Sequence, residues 1–306
     1  RCNIVTVSTD DLPYEEKTII DHSSSEISTE DAAVLLEAVR KELETDIYKF
    51  YVGTSYRHLT IWDKGEVVEL TPPHDVLGQV IGQYLPKNEA LREMMKKSYE
   101  ILANHPINVE RMKKGLNPAN SIWFWGAGTR PALAPFVEKT GHTGAMISAV
   151  DLLKGIAVGA DMKVVEVEGA NGGLDTNYEG KVDAAVEALL KDDLDFAYIH
   201  LEAPDEMGHQ GSFERKVQAI ENLDKRIIKR VTEQLEAAGT DFRMLVLPDH
   251  PTPVAIRTHV SDPVPYMLYD STNKQSHTWN YNEKEAQESG NYIDKGYTII
   301  NHLFEK

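Results

Sequence analysis

The spacing of apolar positions changes about a third of the way along the chain. Residues 1–7 alternate well enough for a short strand. Residues 27–43 carry a helical period. Ser28 is placed as N-cap with Asp31 three residues on, a near match to a capping box. Residues 50–53 and 58–62 read as strands. The second runs into the turn Asp63-Lys64-Gly65, after which residues 67–70 would complete a hairpin. Residues 88–104 form a long predicted helix with Leu91, Met94, Met95, Tyr99 and Leu102 on one side. This opening third is mixed α and β.

Beyond about residue 115 short apolar runs alternate with helical stretches. The runs are 121–125, ending in Gly126-Ala127-Gly128, then 144–147, 164–167, 196–201, 243–247 and 265–268. Helical patterns occupy 132–139, 149–155, 180–191 and 212–238. Such alternation predicts an α/β fold with a doubly wound, mostly parallel sheet covered on both faces. Ligands of such sheets sit beyond the carboxyl ends of the strands. The expected domains are 1–115 and 116–306.

Composition narrows the function. Hydrophobic residues make up 41% of the 306, enough for a real core. Lys and Arg number 32 against 49 Asp and Glu, for a net charge of −17. That balance argues against a nucleic-acid binder, which normally shows a basic stripe, and against anchoring on an anionic membrane. An acidic enzyme acting on anions has to gather positive charge locally, and bound divalent metals can do so. The lone cysteine, Cys2, permits no internal disulfide and fits a reducing compartment, hence a cytoplasmic location. No apolar run is long enough to cross a bilayer, and neither a signal-peptide pattern nor an initiator Met opens the chain.

The chemistry gathers at two strand ends. The run 196–201 leads into Glu202-Ala203-Pro204-Asp205-Glu206-Met207-Gly208-His209, and the run 243–247 into Pro248-Asp249-His250-Pro251. Arg257-Thr258-His259 follows closely. An Asp and a His four apart point the same way from one helical turn. Imidazole with carboxylate suits zinc or manganese, and carboxylate alone leans to magnesium. The bland alternative is that Asp-His-Pro is a turn, since Asp and Pro both favour one. Two such segments after strands, with a third histidine nearby, make Asp205, His209, Asp249, His250 and His259 the candidate metal ligands.

The strings EAPDEMGH, LPDHPTP and RTHVSDPVP resemble the cofactor-independent phosphoglycerate mutases of the archaeal type, within the alkaline phosphatase superfamily. DHSSSEISTEDA, YVGTSYRHLTIW, LTPPHDVLG, NPANSIWFWGAG, ISAVDLLKGI and GLDTNYEGK extend the likeness along nearly the whole chain. The resemblance implies an alkaline-phosphatase-like sheet with an inserted α+β lid, residues 1–115 being the lid. It implies two divalent ions, manganese or zinc or else magnesium. One would be held by Asp205, His209 and His259, the other by Asp249 and His250. The family's further ligands, an Asp and a nucleophilic Ser, lie in an N-terminal segment with no counterpart here, and the chain begins where the family's inserted domain begins. Ser148 and Thr258 sit near strand ends, but neither is a convincing substitute.

The implied reaction interconverts 3- and 2-phosphoglycerate through a phosphoserine. The small phosphorylated substrate requires cationic or hydrogen-bonding partners. Lys154 resembles the family's lysine that approaches the phosphoryl group. Arg57, His58, His22, His74 and Arg130 are the other candidates. Three rival readings stand beside this one: a homoserine kinase-like phosphotransferase, a phosphatase, and a non-catalytic fragment or binding module. Trp123 and Trp125 are read as core residues, and the acidic helix near 26–44 as a solvated face.

Overall fold

The computed structural model describes residues 1–274 and 278–305. The chain forms two compact units, Arg1–Arg130 and Pro131–Lys306. The first begins with β1 (Cys2–Val7), all six of whose positions are buried. There follow β2 (Ile19–Asp21), α1 (Thr29–Leu43), β3 (Tyr48–Tyr51), β4 (Arg57–Trp62), α2 (Glu89–Leu102), α3 (Pro106–Lys113) and β5 (Ser121–Phe124). A strand buried along its whole length needs partners on both edges. On β1 these are β5, over Cys2–Val5, and on the other edge β4 and β2, which share it end to end. Every pairing in this sheet is antiparallel. The Ser28 hydroxyl accepts the Asp31 amide and the Asn88 carbonyl accepts that of Leu91, so both long helices start with capped N-termini. Leu35, Leu36 and Val39 of α1 and Met95 and Leu102 of α2 pack with Trp123 and Phe124 in one core.

Two expectations change here. The run 121–125 belongs to the first unit, because β5 pairs with β1 through four residue pairs, so the boundary falls at 130/131 rather than 115/116. Segment 67–70 forms no strand. Tyr48 stacks on Trp62 at 5.5 Å, making β3 the hairpin partner of β4, while Val68 and Leu70 pack on the core without backbone pairing.

The second unit runs α4 (Phe136–Thr140), β6 (Gly144–Ile147), α5 (Asp151–Gly159), β7 (Lys163–Val164), α6 (Tyr178–Leu190), β8 (Phe196–Ile199), α7 (Ala203–His209), α8 (Phe213–Asn222), α9 (Lys229–Ala237), β9 (Arg243–Val246), β10 (Met267–Asp270), α10 (Glu283–Glu288) and α11 (Ile299–Phe304). Among the described residues β7, β6 and β8 form a parallel sheet, with β6 in the middle, and β9 and β10 form an antiparallel ribbon. Ala185 and Ala188 of α6 lie on Ala145 and Ile147 of β6, small residues that let helix and sheet approach closely. The helix expected over 132–139 starts only at Phe136, because Pro135 disfavours helical geometry at the residue before it. The helix expected over 212–238 is continuous but widens to a π-turn at Leu223–Ile228. There Arg226 donates two hydrogen bonds, of 2.7 and 2.6 Å, to Glu179 of α6.

Candidate metal centre

Strand β8 ends at Ile199, and three residues later the chain turns into α7. That helix carries Asp205 and His209 one turn apart, with His209 Nε2 3.4 Å from Asp205 Oδ2. Strand β9 ends at Val246 and leads to Asp249 and His250. The loop beyond doubles back through hydrogen bonds from the Ile256 and Arg257 amides to the Pro253 carbonyl. This return brings His259 to the same place. Its Nε2 lies 3.3 Å from Asp205 Oδ1 and 3.0 Å from His209 Nε2. His250 Nε2 approaches Asp205 Oδ1 to 3.5 Å, and its ring lies 3.7 Å from that of His259. Asp205 is thus the hub on which three imidazoles converge.

The donor set fits a cation. Ligand atoms about 2.0–2.1 Å from one tetrahedral ion lie roughly 3.3 Å apart. His209 Nε2 and His259 Nε2 are 3.0 Å apart and approach different Asp205 oxygens, at 3.4 and 3.3 Å, while single donor atoms of the three residues lie within 4.8 Å of one another. His209 Nδ1 is 3.0 Å from the Arg257 carbonyl oxygen, which can only accept. The proton is therefore on Nδ1, and the Nε2 lone pair faces the cluster. His250 Nε2 is buried without a hydrogen-bond partner. Burial pushes the Asp205 carboxyl up, but the Thr252 hydroxyl and the three imidazoles outweigh it and hold its pKa below the usual range. The carboxylate is thus in its ligating form.

A family model described as the metalloenzyme superfamily matches residues 53–305. A 2,3-bisphosphoglycerate-independent phosphoglycerate mutase from Methanosarcina barkeri is 46% identical over 95% of this chain, which spans 72% of that protein. This chain belongs to that mutase family within the metalloenzyme superfamily. Membership implies divalent metal ions at the site. A solved Pyrococcus horikoshii structure superposes with a TM-score of 0.71 at 25% identity, covering 94% of this chain and 67% of that one. A cofactor-independent phosphoglycerate mutase from Thermoplasma acidophilum superposes at 0.58 and 21% identity, covering 99% and 74%, and shares the fold. The alkaline-phosphatase-like α/β class expected for the family is the class found.

The other candidates are spread over both units. Lys154 lies on α5, where its Nζ donates to Glu166 at 2.7 Å. In the first unit His22, His74 and Arg57 surround two aromatic rings. His22 stands edge-on to Tyr56 and to His74, His74 edge-on to Trp125, and the Arg57 guanidinium lies 4.2 Å from the Tyr56 ring centroid. Trp125, expected in the core, is partly buried and donates its indole N–H to Asn3, while Trp123 is buried as expected. His58 lies among the buried residues of the first unit. It is 6% exposed and accepts the Gly53 amide on Nδ1, because its side chain is turned to the inside of the sheet. Arg130 is exposed in the loop that closes the first unit.

Motif spacing did not single out the residues supporting this centre. Thr252 hydrogen-bonds Asp205, and Lys216 donates to the Thr252 carbonyl at 2.6 Å. Arg257 donates to the Gln210 carbonyl at 2.6 Å, tying the His259 loop to the end of α7. These contacts join residues dozens of positions apart. Thr252 does stand within the LPDHPTP string, the one local signal that could have marked it.

Proposed function

We propose that this chain acts as a 2,3-bisphosphoglycerate-independent phosphoglycerate mutase, interconverting 3- and 2-phosphoglycerate. The observation that carries the reading is the convergence of Asp205, His209 and His259, with donor atoms within 4.8 Å of one another, in a chain of this family. These three would hold one divalent ion, and Asp249 with His250 a second. The mixed nitrogen and oxygen donors favour manganese or zinc over magnesium. Such ions, when bound, supply positive charge where a transferring phosphoryl group gathers negative charge.

The chain's own residues do the rest. Thr252 holds the Asp205 carboxylate in one orientation, and the Arg257 carbonyl fixes the His209 tautomer. Lys154 would exchange the Glu166 carboxylate for a phosphoryl oxygen, which its position at one end of a single 2.7 Å ion pair allows. Arg57, His22 and His74 offer cationic and hydrogen-bonding groups for the substrate's carboxylate and hydroxyls. The first unit would serve as the lid that excludes water from the reaction. The phosphoserine course, proposed with it, takes its nucleophilic serine from the family's N-terminal segment and not from this chain; a cytoplasmic location is proposed as well.

The test is a coupled assay of 2-phosphoglycerate formation on chelator-treated protein supplied with the family's N-terminal segment, with manganese, zinc or magnesium restored in turn. Activity returning with manganese or zinc, without release of inorganic phosphate, is the expected result. Metal-loaded protein that only hydrolyses phosphoglycerate would favour a phosphatase. Loaded protein inert toward phosphoglycerate would overturn the reading.

A further inference from the structure

Lys181 is the anomaly of the second unit. It lies on the apolar face of α6, three residues after Tyr178 and four before Ala185, and is 0% exposed. A buried ammonium is costly unless it is hydrogen-bonded and paired. Its Nζ donates at 2.9 Å to the carbonyl of His200, the first residue after β8. The same residue's amide donates at 2.9 Å to the Ile147 carbonyl of β6. The point where β8 gives way to the segment carrying Asp205 and His209 is therefore pinned from both sides.

Glu202 completes the arrangement. Both of its carboxylate oxygens are buried without a hydrogen-bond partner, and it is the residue immediately before α7. Burial raises its pKa and Lys181 opposes that rise, so the two groups feel each other's charge. The His200 ring neighbours Glu202 and feels the charges of the metal centre. Its Nε2 is 4.0 Å from Glu202 Oε1, and Asp249, Asp205 and His250 act on it through their charges. Buried charges are often replaceable by well-packed apolar residues without loss of stability. A buried ammonium and a buried carboxylate kept at this strand-to-helix junction serve the groups beyond it.

We propose that Lys181 and Glu202 are a positioning pair for the metal ligands, an inference that rests on the metal centre described above. Lys181 fixes the backbone at His200 so that α7 presents Asp205 and His209 in register with His259. Glu202 sets a carboxylate immediately before α7, where its charge offsets part of the repulsion that the buried ammonium would exert on a divalent cation.

The test uses the full chain and reads Zn²⁺ affinity by chelator competition, together with the visible spectrum of bound Co²⁺. Lys181→Met and Glu202→Gln are each expected to weaken Zn²⁺ binding about ten- to a hundred-fold, the range for residues that support metal ligands, and to alter the cobalt spectrum. Lys181→Arg should recover part of the affinity. The double variant Lys181→Met/Glu202→Leu removes both charges. It should melt near the wild-type temperature and still bind metal weakly. Wild-type affinity and spectrum in either single variant, or a double variant that regains both stability and affinity, would overturn the inference and leave the metal centre standing. A wild-type chain that bound neither ion would overturn both.

Discussion

Gly208 stands between Asp205 and His209, the candidate ligands of α7, and its substitution by alanine tests how tightly the centre is held. A Cβ built at this position falls within 3.0 Å of the Thr252 carbonyl oxygen, where real Cβ atoms are not found, and 3.0 and 3.1 Å from Thr252 Cγ2 and Lys216 Nζ. The nearest obstacle is backbone, so the helix and the segment following β9 must part. Reaching ordinary contact requires a displacement of about 1 Å, and misplacement on that scale costs about a hundred-fold in a geometry-dependent step. Helix propensity works the other way, favouring alanine by about 1 kcal/mol, while overpacking costs about 1–3 kcal/mol. Stability should therefore fall by no more than about 2 kcal/mol while Zn²⁺ affinity and mutase activity fall by roughly two orders of magnitude. Chelator competition, the coupled mutase assay and urea unfolding on one preparation separate these quantities. A Gly208→Ala protein that binds zinc and turns over like wild type would refute the argument that the Thr252 contact sets the ligand geometry.

Other perturbations have equally definite outcomes. Asp205→Asn removes the anionic hub shared by His209, His250 and His259, and should lower metal affinity at least about a hundred-fold by calorimetry while leaving the fold intact. Burial pushes the His58 pKa down from 6.5 to about 4. Because the folded value lies below the unfolded one, this contribution is complete above pH 6.5 and is lost as pH falls through about 4, up to about 3 kcal/mol. Urea titrations between those pH values should show that loss in wild type and a flatter profile in His58→Gln. An equally steep profile in the variant would disprove the assignment. Cys2 is fully buried and its thiol is pushed up to about 12, so thiol reagents should label it only as fast as the first unit opens. Rapid labelling of the native protein would show that β1 is not buried as described.

Local pattern carried the elements whose causes are local. The capped helices α1 and α2, the buried strands β1 and β6, and the pairing of Asp205 with His209 on one helical turn all follow from side-chain period and capping chemistry within a few residues. The ligand segments were legible because metal chemistry restricts donors to few residue types, and because strand ends are where an α/β sheet places them. Even Lys181 left a trace, as a charge on the apolar face of α6.

Contacts made across long stretches of chain had no such signature. The pairing of β5 with β1, which moved the boundary to residue 130, joins residues more than a hundred positions apart. The inward turn of His58, the Thr252 bond to Asp205 and the Lys181 bond to the His200 carbonyl depend on which backbone each side chain meets after folding. The sequence by itself determined the family, the longest helices and the kinds of ligand atom. Only the tertiary structure decided which atoms face one point and what holds them there, because burial and distance are properties of the packed chain and not of residue order.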